Sequence, residues 1–338
     1  MTTAGSNIAC TVIGLFMWSS ITHADALKPP TGAPYLTRDG AVAIIGNDGM
    51  QTLMEQLNAQ FVRQHPDFRF ALTAKGSSTA IAALTAGVAA IAPMSREPWL
   101  GEKAGFEQVK GYAPTEIRIG YSGFGPRAPH KTPPAIYVNS KNPLPGLNMT
   151  QLAQIITAGQ VKGDLNTWGQ VGLSAPWAQR RIHVYGLRDD GGFATNLRLD
   201  KLGGKAFSAK YEALDNREAV IAAVANDPYS IGLTGWVDAS KTADNVRVLP
   251  LAAKAGEAFK APDYATVSEG AYPLSAYLHL YVDLKPGEKL PAFIKQYLNL
   301  ALSDEGQKRV REQRDSEEGY VPLSAADLQK ERQKLEAM

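Results

Sequence analysis

The stretch KGSSTAIAALTAGVAAIAPMSR, residues 75–96, decides the fold class. A glycine turn at Gly76 leads through two serines into a helix carrying Ile81 and Leu84. Gly87 stops that helix, and the apolar run VAAIA then ends in a second polar turn, Met94-Ser95-Arg96. Upstream, AVAII (residues 41–45) reads as a buried strand that runs into GNDGM. A helix follows over residues 51–64, with Leu53, Met54, Leu57 and Phe61 on one stripe and Pro66 beyond its end. DFRFAL alternates Phe68, Phe70 and Leu72, a strand with one buried face. Strand, polar turn and helix thus follow one another twice. This order builds parallel α/β layers, whose ligands gather at the carboxyl ends of strands. Amides and hydroxyls at such turns suit an anion.

The totals bound the rest. A chain of 338 residues exceeds the size at which a single core stops growing, so two lobes are expected. Hydrophobic residues at 44% and charged residues at 20% describe a soluble globular chain and exclude a largely disordered one. A formal charge of +2 gives no reason to invoke nucleic acid, so any anion site must be local. CTVIGLFMW (residues 10–18) is too short to span a bilayer, and SSITHADA offers Ala24 and Ala26 to signal peptidase. Residues 1–26 therefore read as a signal peptide, although its n-region carries only the terminal amine, and the protein reads as periplasmic. The single cysteine, Cys10, falls inside that leader, which excludes disulfides and a cysteine metal cage from the mature chain.

Farther along, residues 99–131 are rich in Gly and Pro and weakly patterned apart from a strand at EIRIGYS. PAIYVN is a strand, NMTQ a capping box ahead of a helix, RIHVYG a strand, LRDDGG a turn and FATNLRLDKL a helix. DNRE resembles a second capping box, SIGLTGW and YPLSAYLHLYV are strands, two helices follow, and ADLQKERQKLEAM is a charged, exposed tail. Catalytic signals are missing: the five histidines show no ligand spacing. GYSGFG (residues 120–125) approaches a nucleophile elbow, but Phe124 stands where that turn needs glycine. No enzyme activity, cofactor or metal is expected.

By AKGSSTAIAALTAGVAAIAPMSREP the chain resembles the periplasmic phosphate-binding proteins of ABC uptake systems. IYVNSKNPLPGLNMTQLAQIITAGQVKGDLNTWGQVG, VYGLRDDGG, SIGLTGW and the closing strand and helix repeat that family's order of motifs. The resemblance spans about residues 44–323. It implies a type II periplasmic-binding-protein fold: two α/β lobes, two crossing segments near Pro133 and Tyr272, and a ligand cleft between the lobes that closes by a hinge motion. Lobe I is expected over residues 35–132 plus 272–325, lobe II over 133–271, and a charged tail over 326–338. The implied partners are inorganic phosphate or a similar oxyanion and an inner-membrane ABC permease complex, with the protein a monomer that binds no nucleic acid.

The same resemblance places ligand donors on four turns: Asp48, Gly49 and Met50; Ser77, Ser78 and Thr79; Ser95 and Arg96; and Arg188, Asp190, Gly191 and Gly192. Two turns depart from the family pattern. Ser95 stands where many relatives carry the aspartate that accepts phosphate's proton, a role that could pass to Asp48 or Asp190. Gly192-Phe193-Ala194 replaces Ser-Gly-Thr. Two missing hydroxyls remove bonds of about 1.5–3 kcal/mol each, against roughly 8 kcal/mol for a micromolar site. An exported binding or signalling protein with a degenerate phosphate site is therefore the alternative. Plainer roles also fit: Ser77 and Ser78 as helix caps, Arg188 paired with Asp189 or Asp190, Arg96 paired with Glu97, Asp48-Gly49 as an ordinary turn, and Trp99, Trp168 and Trp236 as packing.

Overall fold

A computed structural model describes residues 1, 27–127, 133–190, 192–235 and 244–338. Cys10 and the rest of the expected signal peptide after Met1, together with His130, Gly191 and Trp236, lie outside the described residues.

The first half opens β1 (Val42–Gly46), α1 (Gln51–Gln64), β2 (Phe70–Ala74), α2 (Ser78–Thr85) and β3 (Ala92–Met94), as the sequence pattern indicates. It continues with α3 (Leu100–Lys110) and β4 (Thr115–Tyr121). The helix α3 was not legible in a weakly patterned stretch. Only Phe106 among its residues is buried, so no apolar stripe marks it, and it ends on Gly111 at φ 82°.

The second half runs β5 (Pro134–Asn139), β6 (Leu147–Asn148), α4 (Met149–Ile156), β7 (His183–Leu187) and α5 (Gly192–Asn196), the last continued by a π-helical turn over Leu197–Lys201. Then come β8 (Tyr211–Leu214), α6 (Arg217–Asn226), β9 (Ser230–Gly235), β10 (Val246–Val248), β11 (Leu251–Ala252) and α7 (Tyr264–Ser268). The chain closes with β12 (Tyr277–Val282), α8 (Ala292–Leu302), α9 (Asp304–Glu312) and α10 (Ala325–Glu336). The capping box before α4 forms as read: Asn148 Oδ1 accepts from the Gln151 amide at 2.9 Å and Gln151 Oε1 from the Asn148 amide at 3.1 Å. The second box does not. Asn216, not Asp215, caps α6 by accepting from the Ala219 amide at 2.8 Å.

Two sheets result. In the first, β1 pairs in parallel with β2 and, through Ile44 and Ile91, with β3; β12 then runs antiparallel between β3 and β4. The strand order β2-β1-β3-β12-β4 puts the carboxyl ends of β1 to β4 and the amino end of β12 on one edge. The second sheet has the order β10-β5-β9-β7-β8, with β7 parallel to β8 and β9 and with β5 antiparallel to β9. Its matching edge holds the carboxyl ends of β7 to β9 and the amino end of β5. The chain passes between the sheets from β4 to β5 and again into β12. These passages touch: the Ser122 amide donates to Ala276 O at 2.8 Å and the Tyr272 hydroxyl to Pro134 O at 2.7 Å.

Packing follows the stripes. Phe61 meets Phe68, Phe70 and Tyr297 at ring-centroid distances of 5.2, 5.5 and 5.6 Å, which locks α1 to β2 and α8. The tail read as exposed is instead the helix α10, docked on the first sheet. Leu335 and Glu331 are buried, and Asp327 accepts hydrogen bonds from Tyr121 and Tyr277. Its sparse apolar residues conceal a face that binds through polar contacts. Among the described residues, no helix is long and apolar enough to cross a membrane.

Gly46 fixes how closely β1 and β3 approach. A Cβ there would stand 2.2 Å from the Pro93 carbonyl oxygen, a backbone atom with little room to yield. Gly46→Ala is expected to destabilise the protein by about 1–3 kcal/mol, the ordinary cost of overpacking, as read from urea denaturation midpoints.

Candidate functional site

Three of the four expected turns share one edge because they follow β1, β2 and β3. Asn47 joins the first two: its Nδ2 donates to Ser77 Oγ at 2.9 Å and its Oδ1 accepts from the Met50 amide at 3.1 Å. Met50 therefore has its side chain in the core and its amide already engaged. Asp48 is exposed, and Gly49 lies under the carboxyl of Glu318, whose oxygens stand 2.7 and 2.9 Å from where a Cβ would be. The first turn thus presents carboxylates beside its remaining amides.

At the second turn Ser77 is buried and makes no side-chain cap, so the helix-cap reading fails for it. Thr79 Oγ1 donates to Gly76 O at 2.8 Å. Ser78 is exposed, at the first position of α2. The next two amides, of Thr79 and Ala80, donate to Gly76 O and Ser77 O at 3.1 and 3.2 Å, so Ser78 itself is the exposed donor of this turn.

The third turn borders a hollow of about 140 Å³ between the lobes, walled by Ser95, Arg96, Ser122, Asn196, Asp200 and Lys201 among others. Arg96 is held within its own lobe. Its guanidinium makes two 2.8 Å bonds to Glu102, donates to Glu97 O at 2.9 Å and stacks 4.2 Å from the Trp99 ring. The expected partner Glu97 contributes only its backbone carbonyl. The fourth turn follows β7. Arg188 pairs neither with Asp189 nor with Asp190 but with Asp215, at 2.8 and 2.5 Å, and both partners are largely exposed. Asp189 instead accepts from Thr195 Oγ1 at 2.9 Å and from Arg198 Nε at 2.8 Å. Asp190 and Gly192 are exposed, Gly192 beginning α5.

The structure therefore brings Ser95 and Arg96 together around one cavity with the helical segment that follows the fourth turn. Arg188 and the Ser77 to Thr79 turn do not line it. Four polar lining residues escaped the sequence reading: Ser122, Asn196, Asp200 and Lys201. Ser122 sits in GYSGFG, which drew attention only as a failed nucleophile elbow. The others were findable by helical spacing, since positions 193, 196, 197, 200 and 201 of FATNLRLDKL fall on one face. Of the tryptophans assigned to packing, Trp168 is fully buried with its Nε1 donating to Tyr229 O at 3.0 Å. Trp99 donates its Nε1 to Asn196 Oδ1 across the cleft at 2.5 Å.

Charge in and behind the hollow is unevenly balanced. Burial, then the negative charge of Glu97, pushes the Asp200 carboxyl up to about 6. Burial lowers Lys201, whose ammonium donates to Ser275 O at 2.8 Å. Behind them His279, fully buried, meets Glu116 at 2.5 Å and faces Glu97 at 3.9 Å. Glu97, Glu116 and His279 are the one His/acid trio among the described residues close enough to hold a metal. Arg118 already stands 3.1 Å from Glu116 and 3.7 Å from Glu97, which supplies the balancing charge without a metal ion. Burial alone would raise Glu116, but His279 and Arg118 outweigh it and hold the carboxyl down to about 2.

These two carboxyls act oppositely on stability. Glu116 contributes stability that is present above its unfolded value of 4.5 and is lost as pH falls toward about 2. Asp200, raised from 3.8 to about 6, makes stability fall as pH rises through that interval. Asp200→Asn is expected to abolish the fall between pH 4 and 6, and Glu116→Gln to flatten the loss below pH 4.5, in urea titrations at stepped pH.

Comparison with known proteins accords with this geometry. The family model described as a PBP superfamily domain matches residues 31–305. The phosphate-binding protein PstS of Pseudomonas aeruginosa is 32% identical over 294 residues, 86% of this chain and 85% of that protein. PstS of Bacillus subtilis is 23% identical over 84% of this chain and 81% of its own length. Among solved structures, PstS from Borrelia burgdorferi aligns with a TM-score of 0.57 at 18% identity, over 84% of this chain and 99% of that one. An ABC-type phosphate transport receptor from Vibrio cholerae aligns with a TM-score of 0.51 at 19% identity, over 84% and 100%. At such identities these two show the fold alone: two lobes with a cleft between them. The chain belongs to the PBP superfamily and, within it, to the PstS family of phosphate-binding proteins.

Proposed function

We propose that this chain is exported to the periplasm, captures phosphate in the cleft between its lobes and hands it to an inner-membrane ABC permease. It acts by binding alone, as a monomer with no catalytic step and no cofactor. The observation that carries this reading is the 32% identity to a phosphate-binding protein, extending over 86% of the chain and hence over both lobes.

The site's chemistry supports it. An oxyanion in a dry cleft needs neutral donors that converge on it. Ser95 and Ser122 supply them from the first lobe and its crossing segment, Ser78 joins from the turn before α2 as the lobes close, and Lys201 supplies charge from the second. Arg188 swings from its exposed pair with Asp215, which is worth at most about 1 kcal/mol, to the ligand as the lobes close. Asp200 is the carboxyl that lines the hollow together with Ser95, and it takes the place of the missing acceptor for phosphate's proton. Sulfate has no proton to offer it.

Calorimetry of the mature protein with phosphate, arsenate and sulfate at pH 5.5 and 8 tests this. Phosphate and arsenate are expected to bind with 1:1 stoichiometry and sulfate at least roughly tenfold more weakly, a gap of 1.4 kcal/mol. Asp200→Asn is expected to close that gap. Ser78→Ala and Arg188→Ala are expected to weaken phosphate by about 12- to 160-fold each, the worth of one hydrogen bond to a charged group. Heats indistinguishable from dilution with all three anions would refute phosphate capture.

A further inference from the structure

We infer that Trp99 and Asn196 form a latch that holds the two lobes together over the hollow and sets how fast a bound ligand leaves. The inference rests on the reading of the cleft as a ligand site, but its central measurement does not need a ligand.

The bond joins different lobes. Trp99 precedes α3, on the segment that follows β3 in the first sheet, and Asn196 ends α5, which follows β7 in the second. Indole Nε1 donates to Asn196 Oδ1 at 2.5 Å across 97 positions of sequence. The other bonds near the cleft, Lys201 to Ser275 O and Tyr272 to Pro134 O, involve the crossing segments, which act as the hinge and stay together when the lobes part. Among the described residues, Trp99 to Asn196 is the side-chain hydrogen bond that links the lobes away from those segments.

Both ends are braced in place. The Trp99 amide donates to Glu102 Oε2 at 2.7 Å, the same carboxylate binds Arg96, and Arg96 stacks 4.2 Å from the indole. Three contacts within one lobe thus fix the ring so that its N–H points across the cleft. Asn196 also lines the hollow beside Phe193 and Leu197. A guest in that hollow would lie directly behind the closed bond. On opening, indole and amide both regain water, so the net bias toward closure is that of one ordinary hydrogen bond, about 2- to 12-fold.

The test uses the mature chain, which has no cysteine once the leader is removed. Spin labels at Val109→Cys and Val161→Cys, exposed positions on different lobes, report the interlobe distance in ligand-free protein. The latch predicts that Trp99→Phe and Asn196→Ala each broaden and lengthen that distribution. Asn196→Asp, which keeps an acceptor for the indole, is expected to stay near the wild type. Trp99→Phe keeps a ring under Arg96, so its fold is preserved. In stopped-flow measurements of phosphate release, the same two variants are expected to dissociate about 2- to 12-fold faster, and the double variant no faster than either single one. Distance distributions identical to wild type in both single variants would overturn the latch. Absence of phosphate binding in the wild type would count against the phosphate reading and leave the distance measurement to decide the latch.

Discussion

The contact on which the site depends is the parallel approach of β1 and β3, where the Gly46 backbone lies against the Pro93 carbonyl and the Asn47 amide donates to it at 2.9 Å. Parallel neighbours in an α/β layer end at the same edge, and the helices that follow them begin there too. That single arrangement gathers the turns after β1, β2 and β3. The antiparallel β12 between β3 and β4 then brings Ser122 and Ala276, at the two passages between lobes, to the same edge. Nothing in the turns themselves would bring them together, since residues 47, 77, 95, 122 and 276 are far apart in the chain.

The cations near the cleft differ in how available they are. Arg96 is buried and bidentate to Glu102, and removing it from that carboxylate would leave an unpaired buried charge, which typically costs several kcal/mol. Arg188 and Asp215 are largely exposed, so their separation costs little. Of these two arginines, Arg188 is therefore the freer to move, while Arg96 is held against Glu102 and stacks on Trp99. Lys201 lies between these cases, anchored by one carbonyl and lowered by burial. The two lobes thus differ, with a firmly braced cation in the first and a loosely paired one in the second.

Much of the architecture was legible in the order of residues. The stripe Leu53, Met54, Leu57 and Phe61, the glycine turn before α2 and the Asn148 capping box are local signals, formed by neighbours within a few residues, and each appears where the pattern puts it. Two elements escaped for the same local reason. The helix α3 buries a single residue and α10 docks through Asp327, Glu331 and Leu335, so neither carries an apolar period. DNRE misled because two adjacent residues could each cap, and Asp215 was drawn away by Arg188, 27 positions earlier.

The sequence by itself determined the α/β class, the turns at strand ends and the hydroxyl-rich character of the donors, because these follow from nearest neighbours and helical or strand period. The tertiary structure decided which groups face a common space: that Ser77 is tied to Asn47, that Arg96 belongs to Glu102, and that Ser122, Asn196, Asp200 and Lys201 close the hollow. Those groupings span from six to 79 positions. They depend on the close approach of strands and on the meeting of two lobes, and period and spacing in the chain carry no record of either.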